Sequence, residues 1–105
     1  MNDRQLLEAA ATAAQNGAEW YAALGMCIGS GGQIPIPWNP LEDDGAAKRL
    51  AVKLRFQMTV SADGVHVEGL ERDGVLPYAF EPEGNDLDCA ARRAIVRAAA
   101  AMVAR

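Results

Sequence analysis

"FQMTVSADGVHVEGLERDGVLPYAF", Phe56 to Phe80, decides the fold. Phe56, Met58 and Val60 alternate with Gln57, Thr59 and Ser61, the period of a half-buried strand. Asp63-Gly64 is a two-residue hairpin signal. Pairing across it sets Val60 opposite Val67 on the core face. The other face then receives Ser61 with His66, and Thr59 with Glu68. Asp73-Gly74 repeats the turn signal, and Val75 to Phe80 reads as a third strand. Pro77 marks that strand as an edge, because proline cannot donate to a ladder. The stretch is a three-stranded antiparallel meander.

Helical patterns flank it. Downstream, Glu81 to Gly84 reads as a linker, and Asn85 or Asp86 caps a final helix. Its apolar face is Leu87, Ala91, Ala94, Ile95, Ala98 and Met102, with Asp88 placed to pair with Arg92 at i,i+4. Upstream, Asn39-Pro40-Leu41-Glu42 has the order of cap, N1 proline and N3 acid, and Asp44-Gly45 offers a second start one turn later. Ala47, Leu50, Ala51 and Leu54 line one face of that helix; Lys48, Arg49 and Lys53 lie outside it. Ile34-Pro35-Ile36-Pro37 is extended, as an edge strand or a covering strap. Gly25 to Gln33 reads as loop, and Glu19 to Leu24 as a short turn with Trp20 and Tyr21 as anchors. The N-terminal helix starts at an Asn2 or Asp3 cap, exposes Leu6, Leu7, Ala10, Ala13 and Ala14 to a partner, and stops at Asn16-Gly17. The expected fold is α+β: one domain, residues 1–105, with N-terminal, central and C-terminal Ala-rich helices packed on the meander.

Composition narrows the function classes. Half of the 105 residues are apolar and 23% are charged, which is globular. No run approaches a membrane span, and the acidic N-terminus lacks signal-peptide character, so the chain is expected in the cytoplasm. Two cysteines, Cys27 and Cys89, and one histidine do not make a closed zinc site; both thiols are expected to pack. A net charge of −4 argues against non-specific nucleic-acid binding. Bases cluster at Lys48–Arg55 and at Arg92, Arg93 and Arg97, so an acidic molecule carries two basic helix faces.

"PWNPLEDDGAAKRLAVKL", Pro37 to Leu54, and "ARRAIVRAAAAM", Ala91 to Met102, resemble a set of small, mostly uncharacterised proteins of bacteriophages and prophages of proteobacteria. In looser outline the chain is similar to phage domains described as α–β–α sandwiches. The resemblance implies a phage or prophage origin and a bacterial host cell. It implies no reaction, and it favours accessory roles such as blocking a host defence.

Motifs of established chemistry are incomplete. The glycines after Gly25 fit neither a P-loop, which needs a Lys after its last Gly, nor G-x-G-x-x-G, where Ile34 stands in the last place. Glu42, Asp43 and Asp44 lack the alternate spacing of a calcium loop; they read as a cap and dipole-complementing acids. No metal or cofactor is expected. His66 and Glu68 share a strand face, but no nucleophile at a telling spacing completes a triad.

Three functional readings follow. The first is a binding protein engaging a host protein, with acidic patches at Glu42, Asp43 and Asp44 and at Glu81–Asp88 meeting a basic surface. The second is a binder of a small anionic ligand such as a nucleotide, with Trp38 or Trp20 for stacking and Arg92, Arg93 or Arg97 for charge. Trp38 has an alternative role as a plug at the head of its helix. The third, an enzyme with His66 as base, has least in its favour. A two-fold homodimer is an option for Ala-rich helices and an exposed meander edge.

Overall fold

The structure is a computed structural model and describes residues 1–29 and 34–103. Helix α1 spans Asp3–Ala14. The Asn2 side chain accepts from the Gln5 N–H, and the Gln5 side chain accepts from the Asn2 N–H, a full capping box. The helix ends with Gln15 in the left-handed region, followed by Gly17 at φ 72°. Its buried face is Leu6, Leu7, Ala10, Ala11 and Ala14.

The stretch expected to be a turn and a glycine loop forms a second sheet instead. Strands β1 (Glu19–Tyr21), β2 (Gly25–Ile28) and β3 (Ile36–Pro37) pair antiparallel in that order. Gly25 pairs with Tyr21 at φ 80°, so a residue that looked like loop opens a strand. In these strands only the adjacent Met26 and Cys27 are buried, and no alternation marks them in sequence. The Ile-Pro segment is an edge strand, as its prolines imply. Ser30 to Gln33, the rest of the expected loop, lie outside the described residues. Trp38 follows β3; it is 8% exposed, and its N–H donates to the Met26 carbonyl.

Helix α2 spans Asp44–Lys53, one turn later than an Asn39 cap would place it. Asp43 is the cap, accepting from the Gly45 N–H. Asn39 closes a separate turn: its side chain accepts from the Leu41 N–H, and its carbonyl accepts from Glu42 and Asp43. Two consecutive capping signals thus yield a turn and then a helix. Ala46, Ala47 and Leu50 are buried along α2, and Leu54 at its end.

The meander is β4 (Gln57–Ser61), β5 (Gly64–Glu68) and β6 (Tyr78–Pro82), in that order. Its register corrects the expectation. Val60 faces Val65, Met58 faces Val67, and Thr59 faces His66. Ala62-Asp63 forms the turn, and Gly64 belongs to the strand. The reason lies across the sheet: Gly64 sits opposite Pro82 at φ 153°, and a Cβ there would overlap the Glu81 carbonyl. A shift of two residues preserves the faces, so Met58, Val60, Val65 and Val67 still point to one side. Asp73 and Gly74 make the second turn with positive φ, closed by paired backbone bonds between Arg72 and Val75. The third strand starts at Tyr78 and runs through Glu81 and Pro82, which read as linker.

Helix α3 spans Leu87–Ala101, capped by Asp86, whose side chain accepts from the Asp88 and Cys89 N–H groups. Ala98, Ala99 and Ala100 are all buried, so α3 is enclosed on more than one side, beyond the single stripe expected. It lies across β5 and β6, with α1 and α2 packed along it. Alanine side chains permit that close approach. The fold is α+β; α3 covers the meander directly, while α1 packs chiefly on α3 and also on the first sheet. Among the described residues no helix is long and apolar enough to cross a membrane. Cys27 is buried, whereas Cys89 is exposed at the start of α3 rather than packed.

Candidate functional site

Every residue of β4 is exposed. Val65 and Val67 on β5 are 0% exposed, yet Val60 and Met58, their partners on the same face, are 52% and 48% exposed. Helix α3 covers the sheet over β5 and β6. The uncovered side chain of Met58 becomes the wall of a groove between α2 and α3. Ala47, Ala51, Ala91 and Ile95 line it, Phe56 lies beside Met58, and Val52, 69% exposed, stands at its lip. Its volume is about 410 Å³, the size of a pocket for a ligand or a few side chains.

Charge is divided along the groove. Asp44 and Asp88 stand where α2 and α3 begin; Lys48 and Arg55 stand further along. Arg92 ties the two helices together. Its Nη1 donates to Asp44 Oδ1 at 2.7 Å and its Nε donates to the Leu41 carbonyl at 3.0 Å. The Asp44 hydrogen bond raises the guanidinium pKa above its ordinary value. The partner of Arg92 is therefore Asp44 from another helix, not Asp88 one turn away.

The two basic helix faces behave differently. On α3, Arg93 Nη1 donates to Asp3 at 3.2 Å and its Nε lies 4.0 Å from Glu81. Arg97 donates to Glu81 and, at 2.9 Å, to the Phe80 carbonyl. Arg93 and Arg97 border a depression of about 430 Å³ with Leu6, but an anion there would compete with the Glu81 carboxylate. On α2 and just after it, Lys48, Arg49, Lys53 and Arg55 form no ion pair among the described residues.

Trp38 lines a separate pocket of about 250 Å³, together with Arg49 and Lys53. The structure thus brings Trp38 to the bases of α2, and not to Arg92, Arg93 and Arg97. Among the three acids, Asp43 caps α2, Asp44 is bonded to Arg92, and exposed Glu42 borders a cleft near Arg92 and Arg93. Trp20 stacks under the Arg4 guanidinium, 4.8 Å from the ring centre.

On the outer face of the meander, His66 Nδ1 is 2.8 Å from the Tyr78 hydroxyl and 4.6 Å separates the His66 and Phe80 rings. Ser61 donates to Asp63, whose Oδ1 lies 3.9 Å from His66 Nε2. The Ser61 bond holds the Asp63 pKa below its ordinary value. The hydroxyl is bonded to the carboxylate and not to the imidazole, so the order of a Ser-His-Asp relay is not formed. Among the described residues no three His, Cys, Asp or Glu side chains converge as a metal site requires.

Met58, Val52 and Arg55 were not legible as site residues. The one signal was the composition of β4, Gln-Met-Thr-Val-Ser, which lacks the charges and prolines that usually guard an edge. The fold places the chain in the α+β class. Comparison with protein-family models, with curated proteins and with solved structures finds no match.

Proposed function

We propose that this chain is an accessory binding protein of phage or prophage type, which acts by holding a protein of the host cell. The α2–α3 groove is its grip. The observation that carries this reading is the exposure of Met58 and Val60 on the face where Val65 and Val67 are fully buried. An uncovered apolar patch rimmed by charge is the usual mark of a protein interface. The partner supplies apolar side chains to the groove and carboxylates to Lys48 and Arg55. Glu42 and Asp44 add an acidic flank for a basic part of the same partner. Interference with a host defence is the role that the phage resemblance favours.

Capture from a bacterial host lysate tests this. The wild-type protein is expected to retain a defined partner that Val52→Glu loses, because Val52 is exposed and its replacement leaves the core intact. A partner retained equally by Val52→Glu and Lys48→Glu would overturn the groove as its site.

A second reading rests on a different observation, the meeting of Trp38 with Arg49 and Lys53 in one pocket. That trio suits a flat anionic ligand such as a nucleotide. A thermal-shift screen is expected to give a stabilising nucleotide whose effect Arg49→Ala removes. No shift with any nucleotide would end this reading.

A further inference from the structure

The outer edge of β4 is open along part of its length and closed at one end. Just past β5, Gly69 donates its N–H to the Pro77 carbonyl, across to the β6 side. Antiparallel strands alternate the side to which their backbone groups turn, so Val65 and Val67 bond towards β6, and His66 and Glu68 towards β4. On β4 the residues facing His66 and Glu68 are Thr59 and Gln57. The N–H and C=O groups of Met58 and Val60 are therefore left turned to the outer edge, where no strand lies among the described residues. Phe56 turns to that edge as well, but its N–H donates to the Ala51 carbonyl of α2 at 2.9 Å. A strand added here can bond to Met58 and Val60, and it then meets the end of α2.

The stop is positively charged. Arg55, at φ 59°, turns the chain from α2 into β4, and its side chain lines the groove together with Lys48 and Met58. Neither base has an ion-pair partner among the described residues. The end of α2 does not oppose an anion with bare carbonyls, because those of Leu50, Ala51 and Val52 accept from Leu54, Phe56 and Arg55. A strand added antiparallel to β4 brings its C-terminal end to this place. A parallel one brings its N-terminal end, and Arg55 and Lys48 repel a terminal amine. We propose that the open edge of β4 takes the C-terminal tail of a partner protein as an antiparallel strand, with the free carboxylate held by Arg55 and Lys48. The tail residues opposite Met58 and Val60 lie on the groove face and are apolar; the residue between them, opposite Thr59, lies on the polar face. The recognised tail thus reads apolar, polar, apolar at its end. Backbone bonds give such a site its affinity, and the alternate side chains and the carboxylate give it specificity. This deepens the host-partner reading and rests on it, naming the part of the partner that is held.

A library of hexapeptides with free C-termini, matched by the same peptides as C-terminal amides, tests this without a lysate. The wild-type protein is expected to select peptides with the apolar, polar, apolar ending. Their amides are expected to bind at least about tenfold more weakly, the worth of hydrogen bonds to a charged group. Arg55→Ala is expected to cause a similar loss and to shrink the difference between acid and amide. Val60→Pro deletes a donor on the open edge, leaves the β4–β5 ladder its bonds, and is expected to weaken binding as well. In the wild-type protein with the selected peptide bound, hydrogen exchange is expected to slow at the Met58 and Val60 amides and not at Thr59, which already bonds to β5. Absence of any selected peptide overturns the proposal. So do acids and amides that bind alike, binding that survives Arg55→Ala, or Met58 and Val60 amides that gain no protection. A host partner that Val52→Glu loses, but that binds unchanged after its last three residues are removed, overturns the tail alone and leaves the groove reading standing. Selected peptides that show the amide and Arg55→Ala losses, from a protein that retains nothing from a host lysate, uphold the tail site and overturn the host-partner reading.

Discussion

The two edges of the meander meet their surroundings in opposite ways. β6 is closed: Pro77 precedes it, Pro82 ends it, and Glu81 is tied to Arg93 and Arg97 of α3. β4 has neither proline nor charge, and its apolar side chains stand half in water. Both edges belong to one sheet of three five-residue strands. What separates them is where α3 lies. A helix laid across β5 and β6 buries their inner face and brings arginines to the β6 edge, and the same placement leaves β4 uncovered. The difference teaches that an exposed apolar strand need not be a weak one. It is a surface that α3 leaves open.

The sharpest way to break the comparison is to disturb the covered side. Gly64→Ala sets a Cβ against the Glu81 carbonyl at a left-handed φ, and is expected to cost about 3–4 kcal/mol in denaturant unfolding. Next come two valines on one sheet face. Val67→Ala removes fully buried methyl groups and is expected to cost about 2–3 kcal/mol. Val60→Ala is expected to cost under about 1 kcal/mol in the monomer, because that side chain is half exposed. Equal losses at the two positions would mean that β4 is covered after all. At the β6 edge, Glu81→Gln loosens both arginines. It is expected to cost about 0.5–1 kcal/mol at low salt, and less at high salt, since Arg93 and Arg97 are partly exposed.

The smallest effect is a titration. Ser61 holds the Asp63 pKa down, so the stabilisation from this pair is present above the unfolded carboxylate pKa and fades as pH falls through the folded value. Ser61→Ala is expected to move the Asp63 pKa up towards its ordinary range, followed by carboxyl-carbon NMR between acid and neutral pH. An unchanged value would remove Ser61 as the cause.

Much of the scaffold was legible because its signals are local. A cap at Asn2 or Asp3, the Asp73-Gly74 turn, a cap at Asn85 or Asp86 and the alternation in β4 depend on residues a few positions apart. The first sheet was not legible, since its short strands carry no alternation and open on a glycine. Nor was the hairpin register. Asp63-Gly64 has the composition of a turn, but Gly64 is needed in the strand by a backbone fifteen and more residues further on. The candidate ligand residues show the same division. Trp38 and the arginines of α3 have the chemistry of an anion site, but the fold holds them apart. The arginines are engaged by Asp3, Asp44 and Glu81, and Trp38 keeps company with Arg49 and Lys53.

By itself the sequence determined an α+β chain with capped, alanine-rich helices around a meander, because propensity, capping and periodicity act within a turn or a strand. Only the tertiary structure decided which charges remain unpaired and which apolar side chains stay in water. Burial and ion pairing depend on residues tens of positions apart, and α3, whose placement covers β5 and β6 but not β4, sets both.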